Sequence, residues 1–372
     1  MKFIVNTKPL SDGLDLGVIN ANVSKFYSKS CLAQVTATKH TLRINLEAAF
    51  ILSEIRLKGS GDSDTTETVF VDSLLLKQLV STFESSTVTL EFSEGGLILH
   101  SGKSRFTLPK MMDEVDLELK VPKLPDYATD PIKINKDDWK FVKENQMYAI
   151  AMSFIHPVYT KVWVGNDGDV LVGDFDNSLF THSKRSKLGN TCLLSDTIIN
   201  LFNSLPDGAQ LIQSDKSYLI NVKTDGFEYI SEFTPQYESD EDVGSYNSDI
   251  ILGMMNPSQS ESEFGSVKFN APAVTKFLSQ AALISSGSDD VIKFSIGEDS
   301  QLSLEDRNVN CKLAVTGNVQ SAYSVEFKTA LLKSVISNYS EDVSVSPMIQ
   351  GDEIVGIVLW DKNLTTVIAG VD

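Results

Sequence analysis

Between Asp72 and Thr89, apolar residues fall at Leu75, Leu76, Leu79, Val80 and Phe83, with Lys77, Gln78 and Ser81 between them. That spacing puts one apolar stripe on an amphipathic helix and leaves one polar face. The pattern returns without gaps near the C-terminus. Leu75, Leu76, Lys77, Leu79, Val80, Ser81 and Phe83 match Leu331, Leu332, Lys333, Val335, Ile336, Ser337 and Tyr339. A fainter middle copy keeps Ile198, Leu201, Phe202 and Leu205. One structural unit is therefore written three times. A second repeat opens each third: Ile4-Val5-Asn6, Lys133-Ile134-Asn135 and Lys268-Phe269-Asn270 each close a strand on an asparagine that precedes a helical pattern. Asparagine caps a helix because its side-chain oxygen accepts an otherwise orphaned backbone N–H. Pro9 and Pro272 fall in the first turn, where a missing N–H costs least. Gly13 and Gly17 make the first of these helices the weakest. Each third thus holds two helices, both launched from a strand.

The segments between helices are short and β-rich. Strands are predicted at Val69 to Val71, Val88 to Phe92, Leu97 to Leu99, Arg105 to Leu108, Val158 to Val164, Val170 to Val172, Tyr218 to Val222, Val291 to Ile296 and Ile354 to Leu359, with Gly, Ser and Asp turns between them. Two linkers stand out. Leu108 to Pro131 contains Pro109, Pro122, Pro125 and Pro131; Glu232 to Glu263 has eight acidic residues and no Lys or Arg. The second reads as an exposed connector with a short docked piece around Ile250-Ile251-Leu252. Domains at 1–120, 121–250 and 251–372 follow.

A length of 372 residues suits two or three domains, and 42% apolar content can fill their cores. No apolar run of about 18 residues suggests a membrane span. The opening MKFIVNTKPL lacks the apolar region of a signal peptide, which points to the cytoplasm and makes the three N-x-S/T sequons chance matches. Cys31, Cys192 and Cys311 are far apart, without CxxC spacing, and fit free thiols in a reducing compartment. A net charge of −18 argues against nucleic acid unless positive charge is gathered on one face.

Catalytic chemistry has little support: no phosphate-binding glycine loop, dinucleotide fingerprint or HExxH is present. His40, His100, His156 and His182 are scattered and read as surface or satisfied histidines. The acidic stretches Asn166 to Asp169 and Gly173 to Asp176 lack EF-hand spacing and suit hairpin turns. No cofactor or metal is expected. The helical lysines form a more suggestive set. Lys136, Lys140 and Lys143 share a face opposite Trp139, Val142 and Ile150; Lys77 and Lys333 occupy equivalent places in two copies, and Lys276 extends the set. A surface of flexible lysines suits sequence-independent attraction to phosphate.

Three segments bear a family likeness. Ser101 to Leu108, SGKSRFTL, resembles the SGRSRFSL-type strand that closes the first domain of bacterial β-type DNA polymerase sliding clamps. Gln280 to Ser285, QAALIS, resembles the AAILS segment in the first helix of the third clamp domain. His156 to Val164, HPVYTKVWV, resembles the RPVLTGVLF strand of the second. The resemblance spans nearly the whole chain and is that of a divergent or phage-encoded clamp.

It implies an α+β fold of three repeated DNA-clamp domains, each with two helices packed on antiparallel sheets, forming a ring as a head-to-tail homodimer. Duplex DNA would pass through the hole, facing Lys77, Lys136, Lys140, Lys143, Lys276 and Lys333. Such a processivity factor is not an enzyme; it tethers polymerase and meets the clamp loader through short peptide motifs. Matching positions place the dimer interface at Phe106, Leu108, Leu283 and Ile284, and the peptide groove at Tyr159, Asp174, Asp176, Leu179, Pro257, Val367 and Ala369. The groove departs from the family pattern: DFDNSL, from Asp174 to Leu179, stands in place of TDGHRL, and the C-terminal VIAGVD in place of VMPMRL. Two other classes compete. A β-rich structural or adhesion protein of a virion would not need lysines at equivalent helical positions. A hydrolase using Asp174 and Asp176 would need a partner acid or base.

Overall fold

The computed structural model describes residues 1–18, 32–48, 51–111, 119–122, 130–150, 157–175, 179–188, 191–213, 217–234, 246–256, 263–284, 291–306 and 309–371. These form an α+β fold of antiparallel sheets and, among the described residues, seven α-helices. The chain divides into two compact units, Met1–Trp139 with Asp196–Gln236 and Lys140–Ser195 with Tyr237–Asp372. No helix among the described residues is long and apolar enough to cross a membrane.

One order of elements recurs three times: a strand, a helix, four strands, a second helix and three strands. The first copy runs Lys2–Asn6, helix Thr7–Gly17, strands Leu32–Ala37, Thr41–Ala48, Ile51–Gly61 and Glu67–Asp72, helix Ser73–Ser81, then Thr87–Ser93, Gly96–Ser101 and Ser104–Pro109. The middle copy runs Ile132–Lys133, helix Lys136–Asn145, strands Val162–Val164, Asp169–Asp174, Leu179–Lys184 and Cys192–Leu194, helix Asp196–Ser204, then Gln210–Gln213, Tyr218–Lys223 and Phe227–Phe233. The third runs Gly265–Asn270, helix Ala271–Ile284, strands Val291–Gly297, Gln301–Glu305, Asn310–Ala314 and Tyr323–Lys328, helix Thr329–Ile336, then Asp342–Gln350, Glu353–Trp360 and Thr365–Ala369, with an added edge strand Thr316–Val319. In every copy the strand leaving the second helix pairs antiparallel with the strand entering the first, as at Val5↔Val88, Ile132↔Leu211 and Phe269↔Val343.

Copies join through outer strands. In the first unit, Ile51–Gly61 of the first copy pairs with Phe227–Phe233 of the middle copy, from Leu57↔Phe227 to Ile51↔Phe233. Ser53 Oγ lies 3.2 Å from the Tyr229 hydroxyl and 3.1 Å from Ser231 Oγ, so buried polar groups at this seam are satisfied. In the second unit, Leu179–Lys184 of the middle copy pairs in the same way with Thr365–Ala369 of the third. Among the described residues, the equivalent strands Ser104–Pro109 and Asn310–Ala314 each pair along one edge only.

The helices follow the apolar stripes with local corrections. Leu76 and Val80 are buried, as are Ile198, Leu201 and Phe202, and Leu332, Val335 and Ile336. Leu75 is instead exposed, so the first stripe is narrower than its spacing suggests. Phe83, Leu205 and Tyr339 lie beyond their helices; turn bonds such as Tyr339 N–H to Ile336 O (3.1 Å) carry the stripe onward, and Leu205 and Tyr339 remain buried. Asn135 and Asn270 cap their helices through Asp137 N–H (3.2 Å) and Ala273 N–H (3.0 Å), whereas Asn6 makes no such bond. Asp72 caps the helix Ser73–Ser81 through Leu75 N–H at 2.8 Å. The predicted strand from Val158 begins instead as the 3₁₀ turn Pro157–Thr160, and only Val162–Val164 is β. Proline at the first position supplies no ladder donor. Ile150 follows the 3₁₀ turn Met147–Ala149 and so lies outside the helix Lys136–Asn145. The docked piece at Ile250 to Leu252 is a helix, Ser248–Met254, anchored by fully buried Ile251.

Gly13 and Gly17 have a role that propensity conceals. Both are buried against the sheet, and a Cβ on Gly13 would lie 2.7 Å from Ile55 Cγ2, on a fully buried, branched side chain. Alanine there gains about 1 kcal/mol of helix propensity, but overpacking a rigid core costs about 1–3 kcal/mol. Gly13→Ala should therefore lower stability in urea unfolding; a more stable variant would show that the helix can shift.

Candidate nucleic-acid interface and partner groove

The two helices of the first repeat, and the two of the third, lie side by side. Thr7–Gly17 packs on Ser73–Ser81 and Ala271–Ile284 on Thr329–Ile336; in the middle pair Trp139 meets Phe202 with ring centroids 4.8 Å apart. Their buried faces set the polar faces outward. Lys136, Lys140, Lys143 and Lys276 are exposed, and Lys77 and Lys333 half-buried. In the first unit Lys77 and Lys136 line one concavity of about 550 Å³ with Asp12, Asp15, Leu16, Ser204, Pro206, Thr224 and Phe227. Lys77 Nζ lies 3.0 Å from Asp15 Oδ1, an ion pair across the two helices. Lys140 faces Glu144 one turn away at 3.9 Å. The lysines stand out in the sequence, whereas Asp12 and Asp15 carry no signal in their spacing and gain meaning only where the two helices come together.

In the second unit, two of the proposed groove residues, Tyr159 and Val367, belong to a core cluster rich in aromatic rings. Tyr159, Leu179 and Val367 are buried, and Asp174, at the end of its strand, is only 6% exposed. Tyr159 packs against Phe175 (4.5 Å), Tyr246 (4.9 Å) and Phe180 (6.3 Å). Its hydroxyl donates to Tyr246 O, and the Tyr246 hydroxyl donates to Leu171 O, both at 3.2 Å. Burial raises the pKa of both phenols above the ordinary tyrosine value. Ala369 is half-buried; Asp176 and Pro257 lie outside the described residues. Surface at this place comes from residues the sequence reading did not select: Phe175, 36% exposed, and Ile250, 62% exposed, with half-buried Met254 and Trp360 packed against the cluster. Phe175 sits inside DFDNSL, where the flanking acids drew attention from the ring.

The dimer residues separate by exposure. Phe106 is partly exposed on the strand Ser104–Pro109, its ring stacked 5.6 Å from Phe83. Leu108 on the same strand points inward and is fully buried in its own unit, so it is a core residue with no surface to offer. Leu283 is 87% exposed near the end of its helix, and Ile284 is the final helical residue.

The other candidates resolve into local structure. Residues 166–169 make the hairpin between Val162–Val164 and Asp169–Asp174, with Gly168 at φ +89° and Gly165 N–H bonded to Asp169 O (2.8 Å). His182 meets Asp169 at 2.7 Å and His100 meets Glu91 at 2.8 Å, where hydrogen bonding to the imidazole lowers the Glu91 pKa. His40 is exposed, and His156 and Cys31 lie outside the described residues. Cys192 is buried and Cys311 half-buried.

This architecture is the β-clamp fold of bacterial DNA polymerase III. Solved structures of that fold align with 100% of the chain. The DNA polymerase III β subunit of Thermotoga maritima matches at 11% identity and a TM-score of 0.73, over 99% of its own length. The β subunit of Pseudomonas aeruginosa matches at 14% identity and 0.74, over 100%. The DNA polymerase sliding clamp of Bacillus subtilis matches at 13% identity and 0.73, over 99%. No protein-family model matches the chain, and no curated protein is recognisably similar to it in sequence.

Proposed function

We propose that this protein is a DNA polymerase sliding clamp, a processivity factor that encircles duplex DNA and tethers the replicative polymerase. The observation that carries the reading is the pattern of outer strands. Two seams of one kind join the three repeats, and each end of the chain keeps one strand of the kind a third such seam would use. Such edges present unpaired N–H and C=O groups to another chain. A second copy turned head to tail supplies the missing partner at both ends and closes a ring of six domains. Phe106 on one side and Leu283 with Ile284 on the other flank that seam. The three domains are 1–120, 121–250 and 251–372, the second boundary falling within the short helix Ser248–Met254.

Inside the ring, duplex DNA faces Lys77, Lys136, Lys140, Lys143, Lys276 and Lys333. Lysines at a distance from base edges hold phosphate without reading sequence, and the acidic remainder of the chain discourages DNA elsewhere. Polymerase and clamp loader dock by short peptides at the aromatic cluster, where Phe175, Ile250 and Ala369 offer surface over Tyr159, Leu179 and Val367. The fold gives no support to a virion adhesion protein. The test is topological: protein loaded on a nicked circle should leave when the circle is cut.

A further inference from the structure

Charge is not shared evenly among the three helix pairs. The first pair carries Lys8 and Lys77 against Asp12 and Asp15. The middle pair carries Lys136, Lys140 and Lys143 against Asp137, Asp138, Glu144 and Asp196. The third pair carries Lys276 and Lys333 with no carboxylate on either helix. The compensation is also geometric. Asp15 reaches across from one helix to hold Lys77 at 3.0 Å, and Asp12 lines the same concavity as Lys77 and Lys136. Asp15 therefore acts twice on an approaching phosphate: it occupies the ammonium, and it repels the anion.

We infer that Asp15 is a restraint on DNA holding, and that Lys276 and Lys333 carry most of the net attraction of the inner surface. The inference rests on the DNA-encircling reading and adds to it an unequal grip. Phosphate is held firmly at one repeat of each subunit and loosely at the other two. Loose contact is what sliding needs, because each phosphate engaged must be released at every step. A half-exposed ion pair is weak in itself, so an aspartate here limits affinity at little cost to folding.

Equilibrium binding of the full-length protein to a short linear duplex, followed by fluorescence anisotropy across salt concentrations, tests this. Removing a unit negative charge about 4 Å from a phosphate held by Lys77 should tighten binding about fivefold for Asp15→Asn. The slope of log affinity against log salt should steepen by ~0.9, the value for one added phosphate contact. That steepening should vanish when Lys77→Gln is added. Lys276→Gln with Lys333→Gln should weaken binding and flatten the slope by roughly two contacts. If Asp15→Asn keeps wild-type affinity and slope while the double lysine variant weakens, the restraint is overturned and the DNA reading stands. If the double lysine variant keeps the wild-type slope, the assignment to the third pair is overturned. If wild type and every variant fail to bind duplex even at low salt, the inner lysines attract no phosphate and this inference falls, while enclosure is judged separately by release from a nicked circle after cutting.

Discussion

Leu283→Asp is expected to convert the assembled protein into a folded monomer. Leu283 is 87% exposed within its own chain, so aspartate there removes no packing and buries no charge when the chain folds alone. At a subunit contact the same carboxylate would lose its water without gaining a partner, at a cost of several kcal/mol. That difference separates assembly from folding in one substitution. Sedimentation should show a dimer for the unmodified chain and a monomer for the variant, with thermal unfolding of the monomer otherwise cooperative. Adding Ile284→Asp at the helix end should deepen the effect. A variant that keeps the dimer mass would remove Leu283 from the seam. Phe106 is a poorer probe, because its ring also stacks on Phe83 and truncation would disturb its own domain.

The largest loss of stability is expected from Tyr246→Ala. Tyr246 is fully buried, packs on Tyr159, stacks on Trp163 with centroids 6.2 Å apart, and bonds Leu171 O through its hydroxyl. Truncating a buried aromatic ring costs about 3–5 kcal/mol, from lost transfer energy and the cavity left behind. Tyr246→Phe keeps the ring and gives up one hydrogen bond, for about 1 kcal/mol. Denaturant unfolding of the pair should resolve the two costs, and the phenylalanine variant remains measurable if the alanine variant does not fold. An alanine variant within about 1 kcal/mol of wild type would contradict the account, since it would mean that the cluster closes over the gap. The same ring supports Tyr159 beneath the proposed peptide surface.

Much of this architecture was legible because helical periodicity is local. Leu76, Val80, Leu332 and Ile336 announce their helices within one or two turns, and the recurrence of the pattern announced three repeats. What joins the units was not legible. Asn310–Ala314 reads as NCKLA, with no strong alternation, and its importance comes from being the one of three equivalent strands without an outer partner among the described residues. The glycines of the first helix were legible only as weak helix formers, because their contact with Ile55 joins residues far apart in sequence. Pro157 and Tyr159 looked like the start of a strand, since a β-rich composition does not distinguish a strand from a turn that tucks its tyrosine into a core. The lysines were found because they repeat. Asp15 was missed because its partner sits on another helix, and Phe175 because exposure is a property of the fold.

Enclosure of DNA without tight binding is measured by retention on nicked circular DNA. The protein is incubated with the nicked circle at high concentration, so that subunits meet in the presence of the DNA. After gel filtration in moderate salt, the protein should travel with the circle, and cutting the circle once should release it. Leu283→Asp should not be retained at all. Protein that stays bound after the cut would be held by affinity and not by topology, and that result would contradict the clamp.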